Sequence, residues 1–207
     1  MEIYLIRHAQ SKGNEGAIVQ GQTDQGLSEL GKEQAKELAT CQELKKITAI
    51  YSSDLGRAIE TATPLSRKLR LEIKTDPDLR EAAFGIWENL TYDEVRKKFS
   101  DEYTKWHFNY FERPEWFESF ESHFNRVKKA IEKILLTHEP NEKIAIVTHG
   151  GSIKTQLGYF NKLSGQELVK YSTLNCSLTL IYFNSNKNYE EGKIIYYNKE
   201  TTKLIKV

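Results

Sequence analysis

Short apolar runs rich in β-branched residues alternate along the chain with longer stretches in which apolar residues recur every three or four positions. The first pattern predicts β-strands, and the second predicts amphipathic helices. Strands that alternate with helices are typical of an α/β domain whose central sheet is mostly parallel. The pattern therefore predicts an α/β fold.

The apolar runs predict strands at residues 3–7, 47–53, 71–75, 143–149, 177–183 and 193–198. The last two flank the turn-rich segment NSNKNYEEG, so we expect an antiparallel hairpin at one edge of the sheet. Helices are predicted at 28–43, 54–69, 91–99, 120–135 and 151–160. Ser28, Asp54 and Thr91 begin the first three, Glu94 completes a capping box with Thr91, and Pro64 should kink the second helix.

Residues 103–124 are rich in Trp, Phe and Tyr, and Pro114 interrupts them. One interpretation is that these aromatic side chains pack a helical subdomain against the main core. The other is that they form a cap over the mouth of an active site, where they contact the organic part of a ligand. The sequence leaves both interpretations open.

The 207 residues suffice for one core with an insertion, and we predict a single domain over 1–207. The 30 Lys and Arg are interspersed with 29 Asp and Glu, so we expect neither a nucleic-acid nor a membrane partner. The N-terminus carries no basic leader and no apolar run reaches about 18 residues, which favours a cytoplasmic protein. Cys41 and Cys176 lack metal-ligand spacing and are interpreted as reduced thiols.

Charged and titratable residues stand at the ends of the predicted strands or just after them. Arg7 and His8 end the first strand, Arg57 lies in the first turn of the following helix, Glu81 follows the third strand, and His149 ends the fourth. The carboxyl ends of parallel strands meet at one edge of a sheet, which is where ligands bind. The sequence therefore predicts one pocket that holds two arginines, two histidines and a carboxylate.

Such a pocket suits a dianion, because guanidinium groups keep their charge and match the oxygens of a phosphate. Asn14 and Gln20 supply neutral donors, and the helix that starts near Gly151 points free N–H groups at the same place. The chain has no HExxH or HxH motif and neither of the common nucleotide-binding glycine motifs, so we expect no metal and no cofactor.

Each of these residues alone also has an ordinary structural interpretation. In that interpretation Arg57 is a surface cation, and Glu81 forms a salt bridge with Arg80. His107, His123 and His138 are taken as surface or packing residues, because none of them stands at the end of a predicted strand.

Four segments resemble, in order, the motifs of the histidine phosphatase superfamily, whose fold is phosphoglycerate mutase-like. They are LIRHAQSKGN, YSSDLGRAIETA, LREAAFGIWENLT and VTHGGSIKTQL. The end of the chain resembles the closing hairpin of that family. The resemblance implies a three-layer α/β/α fold with a mostly parallel central sheet and a helical, aromatic-rich cap insertion at about 91–124.

The resemblance also implies a role for each site residue. His8 is the nucleophile that forms a phosphohistidine, and Glu81 is the general acid and base. The remaining residues bind the phosphate group; they are Arg7, Arg57 and His149 in the catalytic set, and Asn14, Gln20, Gly21 and Gly150 as further substrate-binding residues. Ala9 and Asn89 depart from the family pattern, since each stands where glycine is usual.

Within that family, the chain looks most like broad-specificity and α-ribazole-phosphatase-like members. It lacks the tryptophan-rich WNxxNxFxGW segment of the similar mutases, which favours a phosphatase that acts on a small organic phosphomonoester. The alternatives are a phosphoglycerate mutase-type phosphotransferase and a non-catalytic protein that binds phosphorylated ligands. The sequence does not distinguish a monomer from a homodimer.

Overall fold

The computed structural model describes residues 1–184 and 187–201. Its centre is a six-stranded sheet in the order β3-β2-β4-β1-β5-β6. The strands are β1 (Glu2–Arg7), β2 (Ala49–Ser52), β3 (Ile73–Thr75), β4 (Lys143–Thr148), β5 (Leu178–Tyr182) and β6 (Lys193–Lys199). β1 to β4 pair in parallel, while β5 runs antiparallel to β1 and to β6. The mostly parallel sheet and the hairpin at its edge are confirmed.

Eight α-helices are found in the described part of the chain. They are α1 (Lys12–Glu15), α2 (Glu29–Leu38), α3 (Gly56–Leu69), α4 (Tyr92–Lys98), α5 (Ser100–Phe108), α6 (Phe120–Thr137), α7 (Gly150–Phe160) and α8 (Gly165–Leu168). Short 3-10 turns lie at Gln42–Leu44, Pro77–Leu79, Gly85–Trp87 and Tyr189–Glu191. Within these described residues, no helix combines the length and the apolar composition that crossing a bilayer requires.

Helices cover both faces of the sheet. Leu38 of α2 and Leu65 of α3 belong to one buried cluster with Ile6 and Val147, which point to one face. Ile131 of α6 and Ile153 of α7 belong to a second cluster with Leu5 and Ile146 on the other face. Because side chains alternate between the two faces of a strand, β1 and β4 contribute to both cores. The three-layer α/β/α architecture is confirmed.

The ends of two helices differ from the prediction. α2 stops at Leu38 rather than residue 43, because the Thr40 hydroxyl donates to the Glu37 carbonyl and closes the last turn. α3 begins at Gly56 and has no cap from Asp54, whose carboxylate instead binds Arg80 at 2.6 Å.

Other helix starts agree more closely with the prediction. Ser28 accepts a hydrogen bond from the Gly31 amide, and Thr91 forms its capping box with Glu94, as predicted. α7 begins one residue early, at Gly150, with His149 as its N-cap. α3 continues through Pro64.

A separate cluster of aromatic side chains surrounds Trp87, which is buried. The segment from α5 to Phe117 contributes to it, together with Val19 and residues of α4. Trp87 lies 6.0 Å from Trp106 and 6.5 Å from Trp116, measured between ring centres. All three tryptophans of the chain are therefore in one cluster. Residues from Phe120 onward belong to α6, which packs on the sheet.

Candidate active site

A cavity of about 290 Å³ opens at the carboxyl edge of the parallel strands. Eight of the nine site residues predicted from the sequence line it; they are Arg7, His8, Asn14, Gln20, Gly21, Arg57, Glu81 and Gly150. The ninth, His149, lies beside His8, with ring centres 5.2 Å apart. The topology thus brings four separate segments of the chain to one site.

The imidazole of His8 is held in one tautomer by its own backbone neighbour. Nδ1 lies 2.7 Å from the carbonyl oxygen of Ala9. Because a carbonyl can only accept, Nδ1 carries the proton and Nε2 has a free lone pair. Burial, and then the charges of Arg57 and Arg7, hold the pKa of His8 well below its usual value. His8 is therefore a neutral imidazole with a nucleophilic nitrogen.

Arg57 is buried and is oriented by a loop rather than by a single acid. Its guanidinium donates to the carbonyls of Thr23 at 2.6 Å and Gly21 at 2.7 Å. The carboxylate of Asp24 lies 3.6 Å away and also accepts from the Arg57 backbone amide. Asp24 thus takes the capping role that the sequence assigned to Asp54. These contacts leave the charge of Arg57 fixed at the wall of the cavity.

Arg7 and His149 flank His8 with unpaired nitrogen atoms. Arg7 donates to the carbonyl of Thr173, and within the described residues its buried Nε has no partner. His149 is 1% exposed, and neither of its ring nitrogens has a partner in that same part of the chain. Burial, followed by the nearby Arg57 and His8, lowers the pKa of His149. These groups are available to an anion beside His8.

Asn14 and Gln20 present their amide nitrogens to the cavity because their oxygens are already occupied. Oδ1 of Asn14 accepts from the backbone of Ser11 at 3.1 Å and from the side chain of Asn175 at 3.3 Å. Oε1 of Gln20 accepts from the Ser11 hydroxyl at 2.8 Å. Ser11 also caps α1, so this short helix, which the sequence did not predict, aligns both donors.

Glu81 is fixed by backbone donors on both carboxylate oxygens. Oε1 accepts from the Ala82 amide at 2.9 Å, and Oε2 accepts from the Gly151 amide at 2.8 Å. A side chain at Gly151 would overlap Oε1. The expectation that this N–H of α7 is free for an anion is therefore wrong, because Glu81 occupies it. The alternative pairing of Glu81 with Arg80 is also wrong, since Arg80 binds Asp54.

The backbone around Glu81 is tied to α6 by Arg126, which the sequence analysis did not identify. Arg126 donates to the carbonyls of Arg80 at 2.6 Å and Glu81 at 2.8 Å, and it binds Glu118 through two hydrogen bonds of 2.7 Å. His123, on the same helix, is buried with its Nε2 3.9 Å from Glu81. The sequence favours a surface or packing role for His123. Its proximity to Glu81 depends on the tertiary structure, because the two residues are far apart in the sequence.

Further residues line the cavity that the sequence did not single out. They are Ile18, Phe84, Tyr92, Trp106, Tyr110, Lys154, Ser172 and Thr173; Gly151, which the sequence did single out, lines the cavity as well. Lys154 follows Gly150 by four residues. Residues at this spacing lie on the same face of a helix, so the sequence could have predicted Lys154 near the site. Trp106 and Tyr110 lie in the aromatic segment 103–124. The order of residues in this segment has no regular period that distinguishes residues facing a pocket from residues packed in a core. In the described parts of the chain, no group of three or more His, Cys, Asp or Glu side chains is arranged to hold a metal ion.

Comparisons with known proteins identify the family of this chain. The family model for the histidine phosphatase superfamily (branch 1) matches residues 3–192. Phosphoserine phosphatase 1 of Hydrogenobacter thermophilus is 30% identical over 196 residues, which cover 91% of this chain and 89% of that protein. Phosphoglycerate mutase-like protein 4 of Arabidopsis thaliana is 35% identical over 158 residues, which cover 74% of this chain and 68% of that protein.

Among solved structures, a mycobacterial glucosyl-3-phosphoglycerate phosphatase in complex with VO3 superposes with a TM-score of 0.86. The two chains are 26% identical, and the match covers 96% of this chain and 99% of that one.

Proposed function

This chain belongs to the histidine phosphatase superfamily and is a phosphatase, and from that premise we propose that it hydrolyses phosphomonoesters of small organic molecules through a phosphohistidine on His8. The observation that carries the proposal is the hydrogen bond from Nδ1 of His8 to the Ala9 carbonyl, which leaves Nε2 unprotonated in the cavity. The similarity to a phosphoserine phosphatase and to a glucosyl-3-phosphoglycerate phosphatase supports the substrate class.

In the first step, Nε2 of His8 attacks phosphorus, and the bond to the ester oxygen breaks. Arg7 and Arg57 stabilise the negative charge on the equatorial oxygens, with Asn14, Gln20 and His149 donating to the same group. Glu81 gives its proton to the departing oxygen, so an alcohol rather than an alkoxide leaves. The lone pair of Nε2 forms the P–N bond, and the electron pair of the broken P–O bond leaves with the alcohol oxygen.

In the second step, water attacks the phosphohistidine from the side that the alcohol has left. Glu81, now a carboxylate, accepts a proton from this water, and the P–N bond breaks to return neutral His8 and release phosphate. The same carboxyl group thus serves both half-reactions, and its two backbone hydrogen bonds fix its position. Fixed guanidinium charge takes the place that a metal ion has in other phosphatases, and we propose that no metal or cofactor is needed.

The first test is hydrolysis of p-nitrophenyl phosphate in the presence of EDTA. We expect the wild-type protein to remain active and His8→Ala to lose activity by at least about 10³-fold, because a nucleophile cannot be replaced by its neighbours. His107→Ala, which changes an exposed histidine of α5, is the matched control and should retain activity. Loss of wild-type activity in EDTA would contradict metal independence, and an active His8→Ala protein would contradict the nucleophile.

The covalent intermediate is tested separately by rapid acid-free quenching with a radiolabelled ester. We expect an acid-labile, base-stable phosphoprotein whose label maps to His8. Label on another residue would transfer the nucleophile's role to that residue. Glu81→Gln should slow esters with basic leaving groups much more than p-nitrophenyl phosphate, because only the former need a proton.

The mutase alternative is kept because one relative carries a mutase-like name. A mutase would move the phosphoryl group within phosphoglycerate and release little inorganic phosphate. Following 3-phosphoglycerate by ³¹P NMR distinguishes the two outcomes, since hydrolysis yields phosphate and transfer yields the isomeric ester. The non-catalytic alternative predicts no turnover of any ester.

A further inference from the structure

The proposed general acid lies on a stretch of chain that has no regular secondary structure of its own. Glu81 falls between the 3-10 turns Pro77–Leu79 and Gly85–Trp87, and no helix or strand includes it. Side chains on such loops are held less rigidly than side chains on helices and strands. Because Glu81 must deliver its proton to one oxygen atom, other groups have to fix its backbone.

Arg126 of α6 binds this backbone with the five N–H groups of its guanidinium. Nη1 donates to the carbonyls of Asp78 at 3.0 Å and Arg80 at 2.6 Å, and Nη2 donates to the carbonyl of Glu81 at 2.8 Å. The two remaining donors, on Nε and Nη2, each lie 2.7 Å from a carboxylate oxygen of Glu118. One rigid, planar group therefore holds three carbonyls of the segment that carries the acid.

Glu118 keeps the guanidinium in this orientation and is itself anchored close to Glu81. Its backbone amide donates to the carbonyl of Ala83 at 2.9 Å, and its side chain is 13% exposed. Burial raises the pKa of this carboxyl group, but the hydrogen bonds and the charge of Arg126 outweigh burial and lower the pKa. Glu118 is therefore a carboxylate that is paired with a permanent cation.

The position of the Glu81 carboxyl group depends on the same helices, because α6 and α7 pack together. Ile131 of α6 and Ile153 of α7 lie in one buried cluster, and the Gly151 amide of α7 donates to Oε2 of Glu81 at 2.8 Å. Arg126 thus fixes the backbone of Glu81 to the packed unit that also holds its carboxyl group. Arg126 is not one of the described residues that line the cavity, so it binds Glu81 and not a substrate.

We propose that Arg126 is a positioning residue for proton transfer, whose guanidinium fork holds the Glu81 carboxyl group within reach of the departing oxygen. This inference rests on the proposed function, because it assigns a residue to the acid step of that reaction. Positive charge alone does not suffice, since the N–H groups of an ammonium radiate from one nitrogen and cannot reach all of these acceptors. The role therefore requires arginine.

Two aryl esters isolate the proton transfer. p-Nitrophenyl phosphate and phenyl phosphate differ only in the nitro group, which makes the first leaving oxygen much less basic. For Arg126→Ala we expect kcat/KM to fall about 10²-fold with phenyl phosphate and at most about threefold with p-nitrophenyl phosphate, because the basic leaving oxygen needs a well-placed proton donor. A merely destabilised protein would lose the same factor with both esters.

Further variants distinguish the fork from its charge and from the stability of α6. Arg126→Lys keeps the charge without the fork and should recover little of the lost activity towards phenyl phosphate. The double variant Arg126→Gln and Glu118→Gln leaves neither charge buried alone, and it should depend on the leaving group as Arg126→Ala does. Ile134→Ala is the matched control, because it opens a cavity in the core beside the same helix and leaves the fork intact. It should keep the wild-type ratio of the two esters.

A double-mutant cycle tests whether Arg126 acts through Glu81. Glu81→Gln alone should depend strongly on the leaving group, and the addition of Arg126→Ala should make that dependence no larger. A further increase in the Glu81→Gln background would give Arg126 a role independent of the acid and would overturn the inference.

The outcomes separate the inference from the function on which it rests. If the wild-type protein hydrolyses neither ester, or if Glu81→Gln slows both equally, the proposed function fails. If Glu81→Gln behaves as expected but Arg126→Ala slows both esters equally, or if Arg126→Lys keeps the wild-type ratio, the positioning role is wrong while the phosphatase mechanism stands. Because each readout is a ratio of two esters for one protein, partial misfolding of a variant does not imitate either result.

Discussion

At the scale of single residues, the reactivity of His8 depends on atoms that are adjacent in sequence and on charges that are distant in sequence. The carbonyl of Ala9 selects the tautomer. Arg57, contributed by another element, lowers the pKa together with burial. A lowered pKa means that the imidazole is neutral at every pH above that value, so the nucleophile needs no activating base.

The first prediction concerns this pKa. In ¹H NMR titrations, the His8 ring should remain neutral down to pH values well below 6.5, the usual pKa of histidine. Arg57→Gln removes the second-largest cause of the shift and should move the transition of His8 upward towards 6.5. His8→Asn identifies the resonance. A His8 pKa at or above 6.5 in the wild-type protein would contradict the proposed electrostatics.

The second prediction concerns Gly151, which positions Glu81. Gly151→Ala forces the carboxylate away from its backbone donors, because the new methyl group would overlap Oε1. We expect a loss of about 10²-fold in kcat/KM, which reports the first step, for esters with basic leaving groups, the size typical of a misplacement of about 1 Å. The loss should be much smaller for p-nitrophenyl phosphate.

Gly150→Ala is the matched comparison, because its added methyl group would meet Arg7 at an ordinary 3.6 Å. It makes the same change of residue type in the same helical turn. The assignment of a positioning role is wrong if Gly150→Ala shows an equal or larger dependence on the leaving group.

At the scale of elements, the rings of the aromatic segment divide between a packed cluster and the wall of the cavity. Most of its rings pack around Trp87, and Trp116 does not line the cavity. Trp106 and Tyr110 also line the cavity. We propose that residues 91–117 act as a cap whose inner surface contacts the leaving group.

The third prediction tests this cap. Because all three tryptophans lie in one cluster, intrinsic fluorescence reports on the cap and not on the sheet. Binding of an aryl phosphate to His8→Ala, which lacks the nucleophile and does not turn the ester over, should change the emission. Trp106→Phe in that background should remove most of the change, whereas Trp116→Phe should keep it. An unchanged signal in Trp106→Phe would place the leaving group elsewhere.

Asn89 shows how an element accommodates a departure from the family pattern. Its φ of 69° lies in the left-handed region, where glycine is favoured and asparagine is the best-tolerated alternative. Its amide donates to the carbonyl of Val19 and so connects the turn before α4 to the loop beside the cavity. Ala9, the other departure, does not need that region, since its φ is not positive.

At the scale of the whole molecule, the fold buries three histidines in their neutral form. His8, His123 and His149 each have a lowered pKa, in each case mainly because of burial. The unfolded chain binds protons at these residues below about pH 6.5, and the folded chain does not. The stabilisation is therefore fully present above the unfolded-state pKa and is lost as pH falls towards the folded-state values.

The fourth prediction is that the free energy of unfolding falls as pH decreases from 6.5 to 5.5. Over this interval each of these histidines contributes about 1 kcal/mol to the fall, because the unfolded residue goes from about half to about nine-tenths protonated. Denaturant titrations of His123→Gln should show a fall smaller by that amount, and those of His107→Gln, at an exposed site, should not. An equal fall in His123→Gln and wild type would contradict the assignment.

The short helices α1 and α8 were not predicted. The sequence by itself determined the six strands, the helices α2, α3, α4, α6 and α7, the edge hairpin and the residues at the strand ends. These features depend on local periodicity and on the rule that parallel strands align their carboxyl ends, so no long-range contact was needed to predict them. The motif resemblance determined the family. The likeness to broad-specificity and α-ribazole-phosphatase-like members, and the single domain over 1–207, stay predictions.

Only the tertiary structure decided which partner each charged side chain or helix N–H group binds. Asp24 rather than Asp54 caps α3, the Gly151 amide binds Glu81 rather than an anion, and Lys154 has no acidic partner among the described residues. Partners such as these are far apart in sequence, and several side chains compete for each one. The burial of each side chain and its distance from the partner decide which pair forms, and the local pattern of the sequence determines neither of them.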